Sequence, residues 1–164
     1  MEYITTPWRE EYIKKVFKMK GCIFCQALKK KDDKQSFILY RGIHNFVLLN
    51  KYPYTPGHLM IAPYKHLSSI ELAEKEATDE MTELLRRCLS LFRKQYNPQG
   101  FNTGMNIGQS AGAGVADHYH LHIIPRWSGD SNFMPLIGKT KVVLEDLHTS
   151  YDKLLSCFEK EREK

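Results

Sequence analysis

No apolar run in this 164-residue chain approaches the ~20 residues that a membrane-spanning helix needs, so no membrane partner is expected. No secretory leader is expected either. The start, Met1-Glu2-Tyr3-Ile4, carries an acid early and no apolar stretch behind it, so a cytoplasmic location is expected. Repeats and low-complexity tracts are absent, which leaves one domain of ordinary size. Charge of one sign is scarce too. The balance of 24 Lys+Arg against 19 Asp+Glu gives +5, which suits a polyanionic substrate without identifying one. Lys29-Lys30-Lys31 is a basic run, but Asp32-Asp33 follow at once, so it reads as a solvated helix end or loop. With no recognition helix and no aromatic platform among basic residues, no nucleic-acid partner is expected.

Cysteine is sparse. Cys88 falls on the apolar face of a helix and reads as core, and Cys157 has no evident role. Cys22-Ile23-Phe24-Cys25 is different. In an intracellular chain a C-x-x-C pair points to zinc or redox chemistry ahead of a structural disulfide. No thioredoxin-like βαβ pattern surrounds it, and alone it is half a zinc site.

The remaining composition, 42% hydrophobic and 26% charged, is that of a globular domain large enough to bury a core. A helix is predicted from Pro7 to Lys20, with Trp8, Tyr12, Val16 and Met19 near one face and Gly21 ending it; a short helix follows Cys22. Phe37–Tyr40 and Asn45–Leu49 read as strands around a turn at Arg41–His44, and Tyr52–Gly57 as a loop. His58–Ala62 is a third strand, stopped by Pro63. A long helix has Thr78 as N-cap, Asp79-Glu80 in its first turn, and an apolar stripe from Met81 to Tyr96. Asn97-Pro98 ends it, Phe101–Met105 is a fourth strand, and a last helix spans Glu145–Glu161. Short strands with tight turns and a long helix predict an α+β domain with an antiparallel sheet.

The densest chemistry lies in His118-Tyr119-His120-Leu121-His122-Ile123-Ile124-Pro125. Alternation among β-branched and aromatic residues predicts a fifth strand, which puts all three imidazoles on one side. A histidine buried without a partner is costly, so packing alone is a poor account of three. Metal ligation and nucleophilic or acid–base chemistry near neutral pH both remain.

With its flanks, this run resembles the histidine-triad (HIT) family of nucleotide hydrolases and transferases. Asn50 to Met60 resembles the family's Pro-Gly-His segment, and Gly104 to Gly112 its glycine-rich loop. Pro125-Arg126-Trp127 and Gly129-Asp130-x-Asn132-Phe133 resemble a bacterial subgroup related to diadenosine tetraphosphate phosphorylases and hydrolases. The resemblance is strongest from Phe37 to Phe133, within one domain over residues 1–164 that adds the N-terminal helix with its C-x-x-C segment and the C-terminal helix. It implies the family's α+β fold, a five-stranded antiparallel sheet with a long helix and terminal helices, and a homodimer.

The resemblance also implies roles. The middle histidine, His120, would attack an α-phosphorus and carry the nucleotide covalently; its other ring nitrogen then needs an acceptor such as a backbone carbonyl. His122 would contact the leaving oxygen, and His58 would support the site. Asn106 would give an amide donor to the phosphate, though a loop-capping asparagine fits the same position. Asn50 would lie near the ribose, or simply end a strand. Gly112 and Gly114, with Gly108, would let backbone N–H groups approach an anion. Where the family often has Ser or Thr just before the triad, this chain reads Gly112-Ala113-Gly114-Val115-Ala116-Asp117, which leaves Ser110 as the nearest hydroxyl upstream. Trp127 would narrow the acceptor side of the pocket, or act as a hydrophobic anchor. Some bacterial members carry a structural zinc, and the matching ligands are Cys22, Cys25, His66 and His118. His44 and His148 match nothing.

The expected activity is cleavage of dinucleoside polyphosphates such as diadenosine tetraphosphate, with water or phosphate as acceptor. No catalytic metal is required, although magnesium can accompany the substrate. Nucleoside phosphoramidates are an alternative substrate, and a zinc-stabilised nucleotide-binding or interaction module is an alternative of another class. A hydrolase with zinc held by all three triad histidines is a fourth.

Overall fold

The computed structural model describes residues 21–30, 32–128, 130 and 145–162. The helix expected over Pro7–Lys20 lies outside them, as do Gly129, Asn132 and Phe133. The described elements are helices α1 (Ile23–Lys29) and α2 (Asp33–Ser36), strands β1 (Ile38–Arg41), β2 (Asn45–Leu49) and β3 (Leu59–Pro63), the long helix α3 (Lys75–Tyr96), strands β4 (Gly100–Gly104) and β5 (Leu121–Arg126), and helix α4 (Leu147–Arg162). No helix among the described residues is long and apolar enough to cross a membrane.

The five strands form one antiparallel sheet in the order β1-β2-β3-β5-β4. Both of its faces are covered. Val47, Leu49, Leu59, Ile61, Leu121 and Ile123 pack with Met81, Leu84, Cys88 and Phe92 of α3 and with Tyr151, Leu154 and Phe158 of α4. The alternate residues Phe46, Leu48, Met60 and Ala62 pack with Phe24 of α1. Hence β2 and β3 are buried at every position instead of alternating with solvent. His122 alternates with Leu121 and Ile123, so it faces the α1 side of the sheet.

Several boundaries differ from the sequence expectation, each for a local reason. Phe37 has φ +56 and caps α2 in the left-handed region, so β1 begins at Ile38. Helix α2 itself was not expected; Asp32 caps it by accepting from the Gln35 N–H at 3.0 Å. The long helix starts one turn earlier than Thr78, with Glu74 as N-cap, and the Thr78 hydroxyl instead donates to the Lys75 carbonyl at 2.8 Å. Pro63 does not stop β3 but is its last paired residue, opposite Asn45. The triad strand pairs only from Leu121 onward, opposite Ile61 of β3, although β3 itself continues to Pro63. Before Leu121 the chain bends at His118, and the Tyr119 N–H donates to the Leu67 carbonyl at 2.7 Å.

The loop before His58 is pinned by Gly57. Its φ is +76, and a Cβ there would lie 2.8 Å from Cε1 of Phe92, so no larger residue fits without moving the core.

Glu80 of α3 holds the β1–β2 turn. Its carboxylate accepts from the backbone N–H groups of Ile43 (2.6 Å), His44 (2.8 Å) and Asn45 (2.8 Å), and from the Asn45 amide (2.9 Å). Burial pushes its pKa up, but these bonds outweigh it and hold the carboxyl below the ordinary range. A depressed folded pKa stabilises above the unfolded value of ~4.3, and that stability is lost as pH falls through the folded one. Glu80→Gln is expected to destabilise by about 2 kcal/mol at pH 7, because an amide N–H₂ then faces donors. Denaturant melts from pH 7 to pH 3 should show the gap between variant and wild type closing at the acid end. A gap that does not change with pH would sink the assignment.

Candidate active site

A cavity opens on the α1 side of the sheet. One wall comes from α1 and α2, through Ile23, Phe24, Ala27 and Gln35; another comes from the end of β2 and the loop after it, through Leu48, Asn50 and Tyr52. Its floor carries His120 and His122, and the glycine-rich loop contributes Asn106, Gly112, Gly114 and Val115. Mostly apolar walls around a few convergent polar groups are what a small-molecule site requires.

The hydrogen bonds fix the protons on the two floor histidines. His120 is 5% exposed, and its Nδ1 lies 2.9 Å from the backbone carbonyl of His118. A carbonyl only accepts, so Nδ1 carries the proton and Nε2 keeps its lone pair. Burial lowers the pKa of His120, the His118 carbonyl opposing it, so the neutral, nucleophilic form is favoured.

His122 is set the other way. The Tyr54 backbone N–H donates to Nδ1 of His58 at 3.2 Å, and the Asn50 amide approaches the same nitrogen at 3.4 Å. Nδ1 of His58 is therefore an acceptor, and its proton sits on Nε2, 2.9 Å from Nδ1 of His122. His122 accepts there and carries its own proton on Nε2. Tyr54 stacks on His58 with ring centroids 5.1 Å apart, which keeps the relay in place. Neighbouring imidazoles with centroids 4.7 Å apart thus offer a lone pair on one and a proton on the other.

The first triad histidine has a different task. Nε2 of His118 donates to the Pro63 carbonyl at 2.9 Å, so the lone pair of Nδ1 faces away from the sheet. It lies 3.3 Å from Cys22 Sγ, 3.8 Å from Cys25 Sγ and 3.3 Å from His66 Nδ1, while Cys25 Sγ lies 3.4 Å from His66 Nδ1. The four donor atoms lie within 4.8 Å of one another. A tetrahedral ion bound at ~2.0–2.3 Å separates its ligands by about 3.3–3.8 Å, so these residues fit a closed two-thiolate, two-imidazole metal site. The Pro63 carbonyl supplies the outer hydrogen bond that orients such a ligand. Burial pushes the pKa of His118 down to about 4 and raises that of Cys22. Only His118 of the triad faces the cysteines, which argues against an ion held by all three histidines.

The other expected site residues divide. Asn106, Asn50, Gly112 and Gly114 line the cavity. Asn50 also accepts from the Tyr52 N–H at 2.9 Å, so its amide is turned toward His58. Gly112 has φ +85, and its N–H donates to the Gln109 carbonyl at 2.9 Å, so there the glycine serves a turn and its N–H is committed. Ser110 and Trp127 are not among the lining residues. Ser110 is exposed in the 3₁₀ turn Gln109–Ala111, and Trp127 follows β5 with its N–H on the Asp130 carboxylate at 3.3 Å. Sequence reasoning missed the α1 wall and Tyr54. The apolar residues at 23, 24 and 27, at helical spacing, were the available signal for the wall.

Comparison with known proteins gives a consistent picture. Residues 31–129 match the HIT domain family. The chain is 39% identical over 112 residues to the AP-4-A phosphorylase of Mycobacterium tuberculosis, covering 68% of this chain and 57% of that protein, so it spans little more than half the relative's length. Among solved structures, a histidine triad nucleotide-binding protein from Sulfolobus tokodaii aligns with a TM-score of 0.65 at 26% identity, over 87% of this chain and 92% of that one. A Zn-bound histidine triad family protein from Mycobacterium smegmatis aligns with a TM-score of 0.62 at 19% identity, over 93% of this chain and 95% of that one.

Proposed function

The chain belongs to the HIT domain family, and on that premise we propose that it cleaves dinucleoside polyphosphates such as diadenosine tetraphosphate at an α-phosphate, through a nucleotide carried on His120. The observation that carries this is the pair of opposite tautomers on the cavity floor. Nε2 of His120 attacks phosphorus, and a P–N bond forms as the P–O bond to the leaving polyphosphate breaks. The N–H at Nε2 of His122 hydrogen-bonds the departing oxygen, which leaves as an anionic polyphosphate. In the second half an acceptor oxygen attacks the same phosphorus, the P–N bond to His120 breaks, and the acceptor's proton passes to the product phosphate or to solvent. Asn106 supplies amide N–H groups to the phosphoryl oxygens. The similarity to an AP-4-A phosphorylase supports this substrate class.

Product analysis of diadenosine tetraphosphate with and without inorganic phosphate tests the reading. AMP plus ATP marks a hydrolase. ADP plus ATP formed only with phosphate marks a phosphorylase. Turnover of adenosine phosphoramidate alone would move the assignment to amine leaving groups, and no turnover of any of them would leave a binding module.

We read the Cys22, Cys25, His66 and His118 cluster as a zinc site, on its donor set and spacing. Bound zinc would supply structure rather than chemistry, tying α1 to the end of the triad strand. Protein purified without chelators is expected to contain one zinc per chain by elemental analysis. Cys25→Ser is expected to lose it and to lower Tm by several degrees, because binding energy at such a site is folding energy. Metal-free wild-type protein with an unchanged Tm would overturn the zinc assignment. We also read the protein as a homodimer. Among the described residues strand β4 is a sheet edge with Asn102 to Gly104 exposed, which suits pairing with a second copy, and light scattering measures it.

A further inference from the structure

We propose that Phe24, with the helix α1 that carries it, couples the metal cluster to the nucleotide cavity, so that metal and nucleotide each tighten the other's binding. The proposal rests on the two readings above, the cavity as nucleotide site and the cluster as zinc site. Helix α1 touches both. Cys22 is its N-cap and Cys25 lies in its first turn, and both side chains belong to the cluster. Phe24, between them, is fully buried. Its ring lies 5.1 Å from that of His118, a cluster member, and 4.8 Å from that of His120, the proposed nucleophile. Ile23, Phe24 and Ala27 form the apolar wall on which a nucleoside would pack.

A helix of seven residues is not stable by itself, so α1 keeps its place through what it docks against. At one end that is the cluster; along its length it is the apolar patch of Ile38, Phe46, Leu48 and Met60. An ion ties the cysteines to His66 and His118 only while α1 is docked. A nucleotide gains the wall formed by Ile23, Phe24 and Ala27 only while α1 is docked. Two ligands that favour the same state of one element must favour each other, by the same factor in both directions. Phe24 transmits this to the chemistry, because it packs on the ring that must attack phosphorus.

The test measures both directions in the intact chain. The zinc affinity of the loaded protein is measured by competition with pyridylazoresorcinol, with and without saturating AMP. AMP affinity is measured by calorimetry on zinc-loaded and chelator-stripped protein, with far-UV circular dichroism reporting the fold. AMP should tighten zinc, and zinc should tighten AMP, by one common factor of about fivefold or more. In Phe24→Ala, still zinc-loaded, the factor should fall toward one, and Phe24→Leu should keep part of it. Affinities that ignore the other ligand would overturn the coupling while leaving both site readings intact. A factor unchanged in Phe24→Ala would overturn the route through Phe24. Global unfolding of the stripped chain would overturn it too, since a docked-helix device needs the sheet to stay folded. Failure of the loaded wild type to bind AMP, or to hold zinc, would strike the parent readings themselves. If Phe24→Ala does not fold, the two wild-type affinities decide.

Discussion

His120→Ala is expected to lower kcat for diadenosine tetraphosphate by about ten-thousandfold or more, while AMP affinity changes little. That factor corresponds to about 5.5 kcal/mol of lost transition-state stabilisation. The size follows from the geometry. The two hydrogen bonds of a neutral imidazole are assigned on separate grounds: Nδ1 is spent on the His118 carbonyl, so Nε2 is the atom left to attack. No other side chain of the cavity floor offers a lone pair in that place, since His122 accepts from His58 and presents a proton. Removal of the ring takes away the covalent route entirely and leaves only positioning by Asn106 and the cavity walls. Rapid quench of the wild type with labelled substrate should trap a nucleotide on the protein through a P–N bond, stable in base and labile in acid. The alanine variant should trap none. Turnover within tenfold of wild type, or an undiminished adduct, would end the covalent account.

Much of this site was legible before any coordinates. Period-two spacing placed His120 and His122 on one face, and β2 runs over Asn45–Leu49 as its short apolar run between a turn and a loop indicates. The acceptor that fixes the His120 tautomer was also foreseeable, because an extended chain offers the carbonyl two residues back. Other features were not. The His58–His122 step of the relay from Tyr54 joins residues 64 positions apart, and no local pattern encodes that meeting. The role of α1 was hidden for a related reason. Seven residues with a C-x-x-C pair read as half a metal site, and only the fold shows that the residues between and after the cysteines wall the cavity. Phe37 was read as strand from its aromatic side chain, yet φ +56 at the end of α2 takes precedence over that propensity. Gly112 looked like an anion cradle, but its N–H closes a turn. In each case a tertiary or backbone demand outweighed the propensity of a single residue.

His122→Ala should lower kcat by about 10²–10⁴-fold, and by an amount that depends on the leaving group. An amine cannot depart from phosphorus as an anion; it must gain a proton as the P–N bond to it breaks. ATP departs already anionic and needs only a hydrogen bond to the oxygen it takes with it. A hydrogen bond from Nε2 to the departing atom, which stabilises the charge on nitrogen until it takes a proton from solvent, is therefore worth more to adenosine phosphoramidate than to diadenosine tetraphosphate. The loss in His122→Ala should be at least tenfold larger for the phosphoramidate, while the second half-reaction slows alike for both. His58→Ala should reproduce the same ranking at smaller size. His58→Ala removes the Nε2–H donor that favours the proton of His122 on its own Nε2. A structural role for either histidine would depress both substrates equally. Ratios of kcat for the two substrates across wild type, His58→Ala and His122→Ala separate the cases, and equal losses would remove His122 from the leaving-group contact.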